Sequence, residues 1–355
     1  MTTRHDWTEL RERSNVVALR LMRWVATTLG RRAARLVLHP VTFYFMLVGG
    51  TSKRASAMYL RQLWNRRPRW IERYRHLHCF ASTVLDRVYL LQGRYDEFDV
   101  QAIGGEHFEA VARGGGGVLF VGAHVGSFEA LRALGKYRRS LRVAMVMYDE
   151  NARLINAALK AVAPEAELNV ISLGRVDAML ALKDWLDGGG VAGLLADRSL
   201  PRPRPSAAVQ GEGAREPPRG DAIVLPFLGR HAVFHDGVFR LAAVLRRPMV
   251  FMAGLYRGGN RYELRFMPVA DFTRRERGPG AAAAQDRAIR EAMERYVAIL
   301  EAVCHEAPYN WFNFYDFWDG GSHDADAAGT AVPGTAGTSS HAASIPARRE
   351  RDAHV

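Results

Sequence analysis

A run of four glycines that leads into a short apolar segment sets the framework of this chain. The glycines at 114–117 precede Val118–Val121, whose uninterrupted apolar character predicts a short buried strand. A further glycine ends the strand, and a turn carrying His124 follows. Ser127 then stands as a predicted helix N-cap. Apolar residues recur at helical spacing behind it: Phe128, Leu131 and Leu134. The segment therefore predicts a histidine at the carboxyl end of a strand.

Alternating strand and helix patterns along the rest of the chain predict an α/β fold, a mostly parallel central sheet flanked by helices. Further strands are predicted over 141–147, 170–173, 191–196, 223–227, 249–256 and 262–266, with 223–227 resuming the sheet and 262–266 alternating like an edge strand. Further helices are predicted over 151–162, 177–186, 237–245 and 286–305. Because ligands collect at the carboxyl ends of parallel strands, His124 is placed where a site is expected.

His124 and Glu129 form a candidate catalytic pair with His-x4-Glu spacing. On a regular helix the two side chains would point about 140° apart, so they meet only if His124 lies in the turn before the helix. Histidine is suited to take a proton from a hydroxyl near neutral pH, and a carboxylate can fix its tautomer and stabilise the imidazolium. Since the sequence places no Ser or Cys nucleophile beside the pair, we expect a base acting directly on an acceptor.

A rival pair has the same spacing. His231 and Asp236 also follow an apolar run and a glycine, and Asp236 is placed to cap a helix. For either pair the alternative interpretation is a polar turn followed by a capped helix.

Asp197 and Arg198 follow the strand predicted over 191–196. His124 and Asp197 are polar residues at two strand ends that could converge, and together they support a site better than either does alone. The alternatives are that Asp197 forms a turn and that Arg198 is solvated. Arginines after the second and third strands are further candidates for holding a phosphate. The candidate substrate-binding residues are Asp197, Arg198, Ser127, Arg153 and Arg175.

The net charge of +12 is localised. Residues 1–75 contain 16 Lys/Arg and four Asp/Glu, whereas the rest of the chain contains 33 of each. Such an arginine-rich segment suits anionic lipid headgroups, nucleic acid or an acidic protein such as acyl carrier protein. Aliphatic residues interleave with the arginines over 15–48, a pattern that favours a bilayer over nucleic acid.

The stretch Leu36–Ser52 has seventeen residues without a charged side chain, close to the lower limit for crossing a bilayer. Pro40 is expected to interrupt its helix. We therefore predict an amphipathic helical membrane anchor lying in the interface, with arginines at the headgroups and aromatic side chains in the apolar phase. The alternatives are a pair of amphipathic helices packed on the domain and a single spanning helix.

The sequence predicts three regions: a basic amphipathic helical membrane-associating region over 1–92, an α/β domain over 93–319, and a disordered tail over 320–355. Residues 201–219 read as a loop or lid. Seven of the ten residues from Tyr309 to Trp318 are aromatic, which predicts core at a sheet edge or the rim of a hydrocarbon pocket.

No cleavable signal peptide is predicted. Two cysteines make neither a disulfide framework nor a metal cluster, even with His76 and His78 near one of them.

The segment GGGGVLFVGAHVGSFE resembles the first block of the lysophospholipid-acyltransferase-like superfamily, in its lipid A acyltransferase branch. Three later segments are similar to that branch: VAGLLADRS with its strand-end Asp, GDAIVLPFLGRHAVFHDG, and YNWFNFYDFW. The resemblance covers roughly residues 15–318. The Glu-Gly-Thr-Arg block of glycerol-phosphate acyltransferases is lacking, which argues against a simple phospholipid acceptor.

The resemblance implies an acyltransferase at the cytoplasmic face of the bacterial inner membrane, with an acyl carrier protein or coenzyme A thioester as donor and a lipid or glycolipid as acceptor. His124 would be the general base and Glu129 its partner. No metal and no cofactor is expected, since a thioester is already activated. A nucleotide-dependent enzyme is disfavoured because neither phosphate-binding glycine motif occurs where the strand meets the helix. The alternative function is a non-catalytic membrane or nucleic-acid binding protein that uses the arginine-rich N-terminus.

Overall fold

The computed structural model describes residues 28, 30–112, 116–131, 133, 142–148, 169–173, 176–198, 222–274 and 278–318. The predicted helix 151–162, the loop 201–219 and the tail 320–355 lie outside these residues, as does most of the stretch before residue 30.

The predicted α/β class is confirmed by a seven-stranded mixed sheet in the order β1-β9-β8-β2-β5-β3-β4. Its strands are β1 Asp99–Ile103, β2 Val118–Gly122, β3 Val143–Tyr148, β4 Asn169–Leu173, β5 Val191–Leu195, β8 Pro248–Tyr256 and β9 Arg261–Asp271. The five strands β8, β2, β5, β3 and β4 run parallel to one another. β9 runs antiparallel to β8, and β1 runs parallel to β9.

Two strand predictions need correction. The segment predicted over 223–227 does not resume the main sheet, because β6 Ala222–Phe227 pairs antiparallel with β7 Arg230–His235 in a separate two-stranded sheet. The tight turn at Leu228 and Gly229 folds β7 back onto β6. The segment predicted over 262–266 is not an edge strand either, since β1 covers the far side of β9.

Seven helices of eight residues or more lie in the described part of the chain. They are α1 Gly30–Val48, α2 Gly50–Trp64, α3 Trp70–Leu91, α4 Gly105–Ala112, α5 Val176–Asp187, α6 Gly237–Leu245 and α7 Ala281–Glu306. Short 3₁₀ turns cover Tyr95–Glu97 and Phe128–Ala130.

The sheet is buried on both faces, as the alternation along β2 shows. Leu119 and Val121 belong to one hydrophobic cluster, with α5, α6, α7 and the C-terminal aromatic residues. Val118 and Phe120 belong to a second cluster, with α1 and α3. Successive side chains of a strand point to opposite faces, so the two clusters lie on opposite sides of the sheet.

Helix α1 does not break at Pro40, contrary to the prediction, and continues to Val48. A proline removes one backbone donor, and the donor lost at Pro40 would have bound the carbonyl of Leu36, a residue that is 71% exposed. The chain bends instead at Gly49, where α1 and α2 meet at 93°. Within the described residues no single helix is long and apolar enough to cross a membrane, although α1 and α2 meet that measure when taken together as a bent pair.

Two arginines of α1, Arg31 and Arg35, point towards the protein. For these two, the expectation that they lie at lipid headgroups is wrong. Arg31 donates two hydrogen bonds to the buried Asp86 of α3, at 2.8 and 2.9 Å. Arg35 lies 3.8 Å from the same carboxylate. The hydroxyl of Tyr262 donates to Asp86 as well. A buried carboxylate needs such donors, so these contacts fix α1 on the domain.

Candidate active site

His124 lies in the turn after β2, and Asp197 lies two residues after β5. The two strands are adjacent and parallel, with Gly122 opposite Leu195. The N–H of Ala196 donates to the carbonyl of Gly122 at 3.0 Å and extends this pairing. Both polar residues therefore leave the sheet at the same edge, where they meet.

The imidazole of His124 is held by the carboxylate of Asp197. Nδ1 of His124 lies 2.8 Å from Oδ1 of Asp197, and the backbone N–H of His124 donates to Oδ2 at 2.9 Å. An ionised carboxylate only accepts hydrogen bonds, so in the neutral ring Nδ1 carries the proton and Nε2 carries the lone pair. The histidine side chain is 29% exposed, so the ring is not closed off from solvent.

Asp197 is fully buried and ionised. Burial alone would raise the pKa of Asp197, but the charge and hydrogen bonds of His124, together with Arg198, lower it to about 2. A third donor, the indole N–H of Trp311, reaches Oδ2 at 3.0 Å. The sequence predicts substrate binding for Asp197, yet its two oxygens are occupied by donors of the protein, which suits it to orient His124.

The C-terminal aromatic segment completes the turn that carries His124. The N–H of Phe312 donates to the carbonyl of His124 at 2.7 Å, and the N–H of Gly126 donates to the carbonyl of Asn310 at 2.8 Å. Val125 and Trp311 form an antiparallel bridge. Trp311 is 1% exposed, which favours the core interpretation of this segment. The segment therefore pairs with the turn that follows β2.

Gly126 is required where this turn crosses β8. It has a φ of +64°, and an added Cβ would lie 1.9 Å from the carbonyl oxygen of Gly254. The N–H of Ser127 donates to that same oxygen at 2.8 Å. Only glycine permits both the left-handed backbone and the close approach.

Glu129 is not the hydrogen-bond partner of His124, and the predicted pairing of the two side chains is wrong. No hydrogen bond or ion pair joins these two described residues. The carboxylate of Glu129 instead accepts from the hydroxyl of Ser127 at 2.9 Å and forms an ion pair with Nε of Arg87 on α3, also at 2.9 Å. The 3₁₀ turn at 128–130 directs Glu129 towards α3, whereas His124 turns towards the end of β5.

Ser127 occupies the predicted N-cap position, but its side chain makes no capping bond because the hydroxyl donates to Glu129. Arg198 is exposed, lies over the ring of Tyr315 at 5.5 Å and reaches the carbonyl of Phe312 at 3.4 Å. It therefore borders the site. Arg153 and Arg175 lie outside the described residues.

The rival pair is not joined. His231 lies exposed within β7, opposite Pro226, while the buried Asp236 precedes α6 and pairs with Arg240. In the described part of the chain no hydrogen bond or ion pair joins His231 to Asp236, because the strand carries the histidine away from the start of the helix.

His76 supports the segment that holds Asp197, a role that no pattern in the sequence predicts. Its Nε2 lies 2.8 Å from the carbonyl of Trp311, and its Nδ1 lies 2.9 Å from the hydroxyl of Ser56. Burial lowers the pKa of His76 to about 4, although the Trp311 carbonyl opposes the shift. The neutral ring links α2 and α3 to the segment that holds Asp197. In the described part of the chain no cluster of His, Cys, Asp and Glu is suited to hold a metal.

No model of a known protein family matches this chain, and no curated protein is significantly similar to it.

Proposed function

We propose that this chain is an acyltransferase that moves a fatty acyl group from a thioester, on acyl carrier protein or coenzyme A, to a hydroxyl or amine of a lipid or glycolipid. One observation carries the proposal: the half-buried His124 has its Nδ1 fixed on the buried, ionised Asp197, and among the described residues no hydrogen bond occupies its Nε2. This arrangement is that of a general base, and no Ser or Cys nucleophile lies in the turn beside the active nitrogen except Ser127, whose hydroxyl is bound to Glu129.

In the proposed reaction Nε2 of His124 takes the proton of the acceptor hydroxyl or amine while the acceptor atom attacks the thioester carbonyl. Asp197 stabilises the imidazolium that forms. The tetrahedral intermediate collapses, the carbon–sulfur bond breaks, and the imidazolium returns its proton to the leaving thiolate. The acceptor thereby gains the acyl group and the donor leaves as a free thiol, with no covalent enzyme intermediate.

The exposed face of α1 supports a location at a membrane surface, proposed here as the cytoplasmic face of the bacterial inner membrane. Three residues of α1, Ala34, Leu38 and Thr42, face the protein and are buried. Seven other apolar or aromatic side chains are at least 36% exposed: Leu36, Val37, Phe43, Tyr44, Phe45, Leu47 and Val48. Contiguous exposed apolar surface of this kind is typical of a helix that lies in a bilayer interface.

The deciding experiment compares purified His124→Ala with the wild-type chain and with His231→Ala. Membrane lipids from cells that lack the protein would first be compared by mass spectrometry with those from cells that contain it, so that the missing acylated species identifies the acceptor. We expect transfer to that acceptor to be lost in His124→Ala and retained in His231→Ala, with both variants folded. Substantial acyl transfer by His124→Ala would refute the proposal.

The exposed face of α1 is equally expected of a second candidate, a non-catalytic membrane-binding protein. Two binding assays, flotation with liposomes and retention of DNA, distinguish membrane binding from nucleic-acid binding. Liposome binding by a protein that changes no lipid species would favour this second candidate.

A further inference from the structure

Glu129 and Arg87 form a partly buried ion pair that takes no part in the proposed proton transfer at His124. Glu129 is 5% exposed and Ser127 is 1% exposed, so their hydrogen bond is shielded from water. Nε of Arg87 is buried and lies 2.9 Å from the carboxylate in an ion pair, although its N–H is not well directed for a hydrogen bond. One edge of the guanidinium is thus held by the protein.

The other edge of Arg87 is left open. The side chain is 43% exposed, and its two terminal nitrogens donate no hydrogen bond within the described part of the chain. A guanidinium has five N–H donors in a planar fork, so most of its binding capacity is unused. A partly exposed ion pair contributes little stability, and burying a carboxylate costs free energy, so stability alone accounts poorly for this arrangement.

Arg87 stands beside the catalytic turn. Glu129, which holds it, follows His124 by five residues. α3 runs along the same side: the ring of Phe80 lies 5.2 Å from that of Phe312, whose N–H binds the carbonyl of His124. Arg87 is about two helical turns further along α3 than Phe80. Helix α3 therefore borders the segment that holds the turn of His124.

We propose that Arg87 binds a phosphate group of a substrate, and that Glu129 and Ser127 are positioning residues for it. Arginine matches the tetrahedral oxygens of a phosphate with two parallel charge-assisted hydrogen bonds. The phosphate belongs either to the phosphopantetheine arm of the thioester donor or to the headgroup of the acceptor. This proposal rests on the proposed acyltransferase function, which supplies both sources.

The test measures binding by the purified full chain, without turnover. The first pair of probes is 4′-phosphopantetheine and pantetheine, and the second is mixed micelles containing phosphatidic acid or diacylglycerol. We expect the wild-type chain to prefer the phosphorylated member of one pair by about tenfold or more. The pair that shows the preference identifies the source of the phosphate.

Arg87→Ala should abolish that preference, Arg87→Lys should reduce it, and Glu129→Gln should weaken it several-fold. The matched control is Arg94→Ala, because Arg94 also lies next to α3, is 44% exposed and pairs with Glu97. We expect the control to keep the wild-type preference. Circular dichroism checks folding, and if Arg87→Ala is unfolded, Arg87→Lys decides.

Equal binding of both members of both pairs by the wild-type chain would overturn the proposal, as would an unchanged preference in the folded Arg87 variant. Failure of the proposed function gives a different result. In that case His124→Ala keeps its acyl transfer, whereas the phosphate preference still depends on Arg87.

Discussion

Nδ1 of His124 lies 2.8 Å from Oδ1 of Asp197, a residue 73 positions later in the chain. The acid nearest in sequence, Glu129, is bound to Ser127 and Arg87 instead. The pairing therefore follows the adjacency of β2 and β5 in the sheet and not the local spacing of the residues. The roles of the two acids can be separated by experiment.

Asp197→Asn should reduce kcat for acyl transfer by about 10³–10⁴-fold, because an amide no longer fixes the Nδ1–H tautomer or stabilises the imidazolium. Glu129→Gln should act mainly on KM for phosphate-bearing substrates, with a loss in kcat below about tenfold. Steady-state kinetics on the two variants distinguish these outcomes. A larger kcat loss in Glu129→Gln than in Asp197→Asn would restore Glu129 as the partner of the base.

Trp311→Phe should lower kcat about tenfold with little change in KM, since the indole hydrogen bond to a charged carboxylate is worth about 1.5 kcal/mol or more. Trp318→Phe is the matched control. Trp318 is also buried, but its indole nitrogen has no hydrogen-bond partner among the described residues. Equal effects of the two substitutions would mean that Trp311 contributes packing alone.

Gly126→Ala should destabilise the chain by about 3 kcal/mol or more, because the new Cβ meets the carbonyl oxygen of Gly254 in addition to the strain of a positive φ. Gly229→Ala has a comparable φ of +75° but open space around the added Cβ. We expect the second substitution to cost only about 1 kcal/mol. Denaturant unfolding of both variants measures the difference, and similar losses would show that the close approach is unimportant.

His76 should make the fold sensitive to acid. Its pKa is lowered from 6.5 to about 4 in the fold, so the unfolded chain takes up a proton more readily between these values. The contribution of this residue is complete above pH 6.5 and is lost as the pH falls to about 4, to a total of about 3 kcal/mol.

His76→Gln should flatten the dependence of the unfolding free energy on pH across that window. His107→Gln, a substitution at an exposed histidine of α4, should leave the dependence unchanged. If the slope between pH 6.5 and 4 is the same in His76→Gln as in the wild-type chain, His76 is not the residue responsible.

The sequence predicts the strand before His124 and the strand before Asp197 to within one or two residues, because their apolar runs end at glycine or at charged residues. It cannot predict that β2 and β5 are neighbours, since two other strands lie between them in the chain. The order of the strands in the sheet therefore decides which acid lies next to the histidine. The roles of Arg87 and His76 cannot be predicted for the same reason. Both lie in a helix, and the helical sequence around them does not indicate which residues of other elements they contact.

The N-terminal helices show a different limit. The exposed apolar surface of α1 follows from its composition, but the inward use of Arg31 and Arg35 depends on Asp86, more than fifty residues later. The sequence alone does not reveal whether a charged side chain contacts solvent, lipid or a buried carboxylate.

Trp311 and Phe312 close the site, and they follow every strand and helix in the described part of the chain. A chain that stops before residue 311 would hold the histidine and its acid without the indole donor and without the bridge that fixes the loop. A prematurely terminated product would therefore be a poor catalyst. The proposed activity therefore requires that translation has passed residue 312.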